Sequence, residues 1–380
     1  MTHDAAQAIR DAASALATRW IDPPVLQPAG LYLELAGEDI RARAYMLAGD
    51  DDAAFCLRPD MTAPAVREAL RDGDWTKPFG VAYDGLVFRR QVDGAKESEF
   101  RQIGAEVFAS AAEIARREAD VTVAALDACR VAGVEPRVRL GDVGVFEALV
   151  EACALPESWS RRVKRAFSRP GGLATVLREA ASPPAPEESV LGEALAALPD
   201  DRAEAVVEEL LADARIVLVG GRTIGEIAAR LREKGRSLHA PRADADALKL
   251  IADMTAIEAA PDVAFDALRT AAKNTAMKAP APFLAALDRA AARWTAVARD
   301  RKPDATFSAG FGRGLAYYDG FVFELEAPTL GARASLGGGG RYDGLLHRIA
   351  ASQGGGPKSP AGWGAAGFAL RPARIAEAVR

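Results

Sequence analysis

Strand-like segments crowd both ends of the chain, and a long alanine-rich stretch of helical character separates them. No other feature limits the fold so sharply. Strands must find hydrogen-bonding partners, so the two ends have to meet in one sheet while the middle leaves it and returns. The expectation is an α+β protein. A discontinuous core, residues 1–140 and 302–380, holds an antiparallel sheet flanked by helices, and residues 141–301 form a mostly helical insertion. In the core, 79–90 (FGVAYDGLVFRR) and 102–109 (QIGAEVFA) predict a long antiparallel hairpin around a charged loop. Residues 40–47 and 54–57 predict paired strands across the acidic turn Gly49 to Asp52. Helices are expected over 4–19, stopped by Asp22-Pro23-Pro24, over 62–71, opened by Thr62, and over 111–132. After a strand at 136–140, residues 144–180 and 190–300 read as helical, with one strand at 215–219 and a proline-rich connection at 181–189. From 305 the texture turns glycine- and aromatic-rich, which predicts strands again, and a last helix is expected over 365–379.

Composition narrows the function classes. The 380 residues suit two or three domains. Lys and Arg number 48 against 53 Asp and Glu, a net charge of -5, without the basic excess usual in binders of a phosphate backbone. Cys56, Cys129 and Cys153 are too far apart to form a metal clip, and such a sparse, odd set suits a reducing compartment. His3, His239 and His347 sit in no zinc-binding pattern, so no metal is expected. The first twenty residues lack a signal-peptide core, and no apolar run is long enough to span a bilayer. A cytoplasmic protein without a membrane partner is expected.

Four segments place polar groups on strands that otherwise read as buried: Leu57 to Thr62, Phe88 to Arg90, Gln102 to Glu106, and Arg313 to Tyr318. Gln102, Gly104 and Glu106 fall at i, i+2 and i+4 and share one sheet face, while Ile103, Ala105 and Val107 share the other. A buried carboxylate at Glu106 needs a cation or hydrogen-bond donors. Glycines between polar residues let a ligand approach the backbone. Internal ion pairs, such as Arg89 with Glu106, are one reading of each segment alone. Together the segments fit a pocket for a small zwitterion: acids for an ammonium, arginines for a carboxylate, tyrosines for a flat group. Other features are weaker. GFGRG (310–314) is followed by strands and not by a phosphate-binding helix, and VLVGGRTIGEIAARL (217–231) fits neither dinucleotide nor P-loop spacing. Arg161, Arg162, Lys164 and Arg165 read as a solvated helix face.

In order along the chain, these segments resemble a known family. LRPDMT (57–62) is similar to the LRPEGT of histidyl-tRNA synthetases, and FRRQ (88–91) with FRQIGAEVF (100–108) to their FRxE hairpin and its return strand. RGLAYYDGFVFE (313–324) and GGGRYDGLL (338–346) resemble the two histidine-specific motifs, and GFALRPAR (367–374) the last class II motif. Pro24 to Pro28 resembles a segment that contributes to the family's dimer interface. The likeness covers 1–150 and 302–380, and the middle only in its helical character. It implies a class II aminoacyl-tRNA synthetase-like core, and it is nearest to the synthetase paralogue that serves as regulatory subunit of ATP phosphoribosyltransferase.

The resemblance also implies ligand contacts. Asp60 and Thr62, helped by Gln102, would hold a histidine amino group; Glu106, Tyr317 and Tyr318 would face the imidazole; Arg89 and Arg313 would lie near the carboxylate. The departures fall on the ATP side. Gln91 replaces the catalytic acid, and Glu97, Ser98 and Glu99 stand where the family has arginines, putting charge there that repels a triphosphate. Arg371, Pro372 and Ala373 replace a glycine, a leucine and a glutamate; Arg371 adds bulk and Pro372 is expected to disturb a helix start. Ala316 replaces an aspartate, while Arg374 is retained. The sequence runs to Arg380, just past the last motif, where a synthetase carries a further domain for the anticodon, so no tRNA partner is expected. The implied role is a non-catalytic subunit, without cofactor or catalytic residue, in the first step of histidine biosynthesis. It would dimerise, activate a short-form catalytic subunit within a hetero-octamer, and bind L-histidine as feedback effector. The alternatives are a truncated synthetase-like enzyme that activates histidine and a scaffold that binds none.

Overall fold

The computed structural model describes residues 4–30, 32, 43–47, 55–90, 97–167, 169, 171–182, 190–216, 223–238, 242–274, 277–299, 301–312, 317–331, 334–352 and 361–380. The chain divides into two compact units: Met1–Ala148 with Met254–Thr275 and Pro280–Arg380, and Leu149–Asp253 with Ala276–Ala279. Residues 254–275 and 280–301 thus belong to the first unit, although they fall within the stretch read above as the insertion.

The first unit opens with α1 (Ala5–Leu16), β1 (Arg19–Ile21), β2 (Leu26–Pro28), β3 (Tyr45–Leu47), β4 (Phe55–Leu57) and α2 (Thr62–Asp72). The hairpin β5 (Phe79–Phe88) and β6 (Glu99–Ser110) follows, then α3 (Ile114–Val131) and β7 (Arg137–Asp142). The chain continues through α4 (Val143–Ala152) into the second unit, with α5 (Glu157–Ala166), α6 (Gly172–Ala181), α7 (Val190–Ala196), α8 (Asp200–Asp213), α9 (Ile224–Leu238) and α10 (Ala245–Thr255). It returns through β8 (Glu258–Ala259), α11 (Pro261–Asn274), α12 (Pro280–Ala298), β9 (Ala305–Ser308), β10 (Phe321–Glu326), β11 (Ser335–Arg341), α13 (Asp343–Ser352), β12 (Trp363–Leu370) and α14 (Pro372–Val379).

Both ends of the chain meet in one sheet, ordered β1-β5-β6-β12-β11-β10-β7-β9-β8, beside a small sheet β2-β4-β3. Pairing is antiparallel except between β1 and β5 and between β7 and β9. In the hairpin, Glu106 lies opposite Val81 and Gln102 opposite Gly85. On its other side Glu106 lies opposite Gly367 of β12. Asp4 caps α1 by accepting from the Ala6 N–H at 3.1 Å, and the helix buries Ala5, Ile9 and Ala13. Ala63, Val66 and Ala69 of α2 and Leu345, Leu346 and Ile349 of α13 pack with Val81, Tyr83, Phe108 and Tyr342. That packing buries the sheet face that carries Glu106.

Three expectations need correction. Residues 363–370 are strand β12, and the last helix begins only at Pro372. WGAAGFAL is alanine-rich, but it lies between β6 and β11 with small residues on both faces, and a short apolar run does not distinguish a buried strand from a helix. Pro372 does not disturb the helix start: it occupies the first turn, where its missing N–H costs nothing. Arg215 and Ile216 are not strand, and the rest of the segment at 215–219 lies outside the described residues, as do 40–42 and 54 of the early strand pair.

In the second unit, Leu195, Ala203, Val207 and Ala228 form a small core shared by α7, α8 and α9. The basic run on α5 is fully ion-paired: Arg161 with Glu157 at 2.6 Å, Lys164 with Glu151 at 2.8 Å, Arg165 with Glu233 at 2.8 Å, and Arg162 with Glu179. That supports the solvated-face reading. Among the described residues no helix is long and apolar enough to cross a membrane.

Candidate functional site

Glu106 sits on the central strand β6 with 1% of its surface exposed. Three hydroxyls hold its carboxylate. Thr62 donates to Oε1 at 2.8 Å, Tyr83 to the same oxygen at 2.9 Å, and Tyr342 to Oε2. Among the described residues the internal ion-pair reading is not met at Glu106: Arg89 reaches the main-chain oxygen of Pro59 at 2.6 Å, and the carboxylate's partners are hydroxyls. Burial lifts the Glu106 pKa to about 7, although the three hydroxyls pull it down. The Tyr83 hydroxyl also lies 3.2 Å from the Phe368 carbonyl. With one proton and two acceptors, Tyr83 satisfies both only when Glu106 is itself protonated.

The glycines of this face make room for the protein's own side chains. A Cβ on Gly367 would overlap the Glu106 carboxylate, and one on Gly104 would come within 2.9 Å of the Tyr83 hydroxyl. At Gly340 a Cβ would lie 3.0 Å from the Tyr318 ring. Tyr317, Tyr318 and Tyr342 cluster beside them, with ring centroids 4.8, 5.9 and 6.4 Å apart in the three pairs.

Asp60 lies just before α2, 2% exposed. Its Oδ1 accepts from the Ala63 N–H at 3.1 Å, fixing the first turn of α2, and the Thr62 N–H also stabilises the carboxylate, while Oδ2 is buried with no hydrogen-bond partner placed on it among the described residues. Burial raises its pKa, against the pull of nearby Arg89. Gln102, two strand positions from Gly104, likewise buries Oε1 without a donor among the described residues. Tyr32, near Asp60, buries its hydroxyl with no partner among the described residues, and burial raises its pKa well above the ordinary range. Asp60 Oδ2 and Gln102 Oε1 are thus acceptors without donors among the described residues, while the Tyr32 hydroxyl keeps a proton to give.

Of the expected site residues, Asp60, Thr62, Glu106, Tyr317 and Tyr318 are brought together, Gln102 shares their sheet face, and Arg89 borders Asp60. Arg313 lies outside the described residues. Tyr32, Tyr83, Tyr342 and Gly367 went unassigned in the sequence. Tyr342 stands inside GGGRYDGLL, and Tyr83 keeps period two with Val81 on β5, so both left a signal. Arg58 is structural: it donates to the main-chain oxygens of Leu86, at 2.7 Å, and Pro23. On the side of the departures, Arg371 stacks its guanidinium 4.2 Å from the centre of the Phe100 ring, and Arg89 lies 5.4 Å from the same ring. Gln91 is outside the described residues.

Comparison with known proteins settles the lineage. The family model described as histidyl-tRNA synthetase matches residues 2–236 and 204–375. The ATP phosphoribosyltransferase regulatory subunit of Brucella anthropi is 35% identical over 341 residues, covering 88% of each chain. That of Sinorhizobium fredii is 36% identical over 350 residues, covering 89% of each. The chain belongs to the ATP phosphoribosyltransferase regulatory subunit family, on a histidyl-tRNA synthetase-like class II fold. A solved structure from Bacillus halodurans, titled as an ATP phosphoribosyltransferase regulatory subunit/histidyl-tRNA synthetase, superposes with TM-score 0.62 at 18% identity, covering 100% of this chain and 79% of that one. Histidyl-tRNA synthetase from Nostoc superposes with TM-score 0.56 at 17% identity, covering 98% and 70%. These two likenesses bear on the fold alone.

Proposed function

We propose that this chain is the non-catalytic regulatory subunit of an ATP phosphoribosyltransferase, that it activates a short catalytic subunit, and that free L-histidine in the Glu106 pocket turns the assembly down. One observation carries the ligand: among the described residues, buried Asp60 Oδ2 and Gln102 Oε1 lack donors beside a Glu106 held by hydroxyls and no cation. A ligand rich in N–H groups and carrying positive charge relieves all three. Histidine offers an ammonium and an imidazole on a flat ring, and the tyrosine cluster suits the ring. Arg89, beside Asp60, is the described arginine for its carboxylate. Glu97 and Glu99 weigh against a bound triphosphate and hence against adenylation. Feedback requires histidine to bind one assembly state more tightly, typically by about 1–3 kcal/mol, or roughly 5–150-fold.

Reconstitution with a short catalytic subunit tests this reading. Addition of the chain should raise the phosphoribosyl-transfer rate, and histidine should suppress the gain. The chain alone should not exchange pyrophosphate into ATP in the presence of histidine. Exchange would return it to the synthetases, and activation untouched by histidine would leave it a scaffold.

A further inference from the structure

The first unit buries a second charged group that the ligand contacts do not use. Glu118 on α3 has a side chain 1% exposed. Its Oε1 accepts from Nη1 of Arg341 at 3.0 Å, and its Oε2 lies 3.2 Å from Nε of Arg293 on α12. Arg293 pairs in turn with Oδ2 of Asp142, the last residue of β7. The other oxygen of Asp142 accepts from the Val145 N–H at 3.0 Å and so holds the first turn of α4. At the opposite end, Arg341 also donates to Asp343 at 2.9 and 2.6 Å, and Asp343 accepts from the Ala365 N–H of β12 at 2.9 Å. Arg341 directly precedes Tyr342, whose hydroxyl holds Glu106. Gly320 leaves room for this arginine: a Cβ there would come within 2.9 Å of its Cδ.

Stability is a poor reason for such a chain. Apolar side chains of equal volume commonly serve as well or better, because desolvating charges offsets their attraction. What buried ion pairs do supply is a discrete geometry. Here each of Glu118, Arg293, Arg341 and Asp142 is shared between two partners, so moving one strands a buried charge unless the next moves too.

We propose that Arg341, Glu118, Arg293 and Asp142 carry the ligand state of the Glu106 pocket to the start of α4, the helix that leads the chain out of the first unit. The proposal rests on the pocket reading above. A ligand N–H on Glu106 competes with the Tyr342 hydroxyl. Displacement of Tyr342 shifts Arg341 along the same backbone, and the ion chain passes that shift to the Asp142 cap.

Hydrogen exchange on the intact chain, with and without saturating L-histidine, reads the cap. Amide exchange from Val145 to Leu149 should change by about tenfold when histidine binds, within the usual range of coupling. In Glu118→Gln and Arg293→Gln, histidine should still bind within about threefold of wild type, while that response, and inhibition in the reconstituted complex, weakens by about tenfold. Unchanged α4 exchange in histidine-bound wild type would overturn the ion-chain proposal and leave the pocket standing, whether or not the variants fold. Variants that bind histidine and respond as wild type would overturn it as well. No binding to wild type would sink both readings.

Discussion

Glu106 offers a perturbation whose size follows from its surroundings. Burial raises its pKa from 4.5 to about 7. Between those values the folded protein keeps a proton that the unfolded chain has released. Its contribution to stability is therefore complete below about pH 4.5 and is lost as the pH rises through about 7. At about 1.4 kcal/mol for each pH unit between the two values, the loss comes to about 3 kcal/mol. Glu106→Gln cannot ionise and lacks this slope. Any cost of a carboxamide among three hydroxyls is the same at every pH. Glu118 and Asp319 are also raised by burial, to about 7 and about 6, but both proteins share them, so they cancel in the difference. Urea denaturation without histidine, at about pH 5 and about pH 8, measures the effect: wild type should lose about 2–3 kcal/mol more than the variant. Parallel losses would refute the reasoning that Glu106 is buried without a compensating cation.

Gly367→Ala should reduce histidine affinity and cost about 1–3 kcal/mol of stability, because its methyl displaces the Glu106 carboxylate and lies 2.7 Å from the Ala105 oxygen; calorimetric titration and urea melts report the two effects. Arg58→Met should cost about 2–4 kcal/mol, since the carbonyls of Leu86 and Pro23 lose a charged donor; an unchanged urea midpoint would contradict the clamp. Histidine at about one hundred times its dissociation constant should add about 2.7 kcal/mol to the chain's stability, read as a rise in melting temperature. Asp60→Ala and Glu106→Ala should relieve histidine inhibition yet still copurify with the catalytic subunit; loss of the complex in both would join the roles that the proposal separates.

Much of the core was legible because period-two patterning is local. Gln102, Gly104 and Glu106 announced a shared face, and the hairpin register placed them there. Asp60 and Thr62 were visible as a polar break before a helix, but their division of labour was not. Asp60 fixes the first turn of α2, while Thr62 donates across to Glu106. Partners far apart in sequence stayed hidden. Tyr342 reaches Glu106 across 236 positions, and no local pattern shows that the space at Gly367 belongs to a neighbour's carboxylate. The same cause explains the misreading of 363–370. Alanine favours helices in isolation, but here β6 pairs along the whole segment and β11 along 366–370.

Calorimetric titration of L-histidine into the isolated chain tests the central claim most directly. The account predicts saturable binding at one site per chain, weakened severely by Glu106→Ala and by Asp60→Ala. No heat of binding in the wild type, or binding that survives both substitutions unchanged, would contradict it.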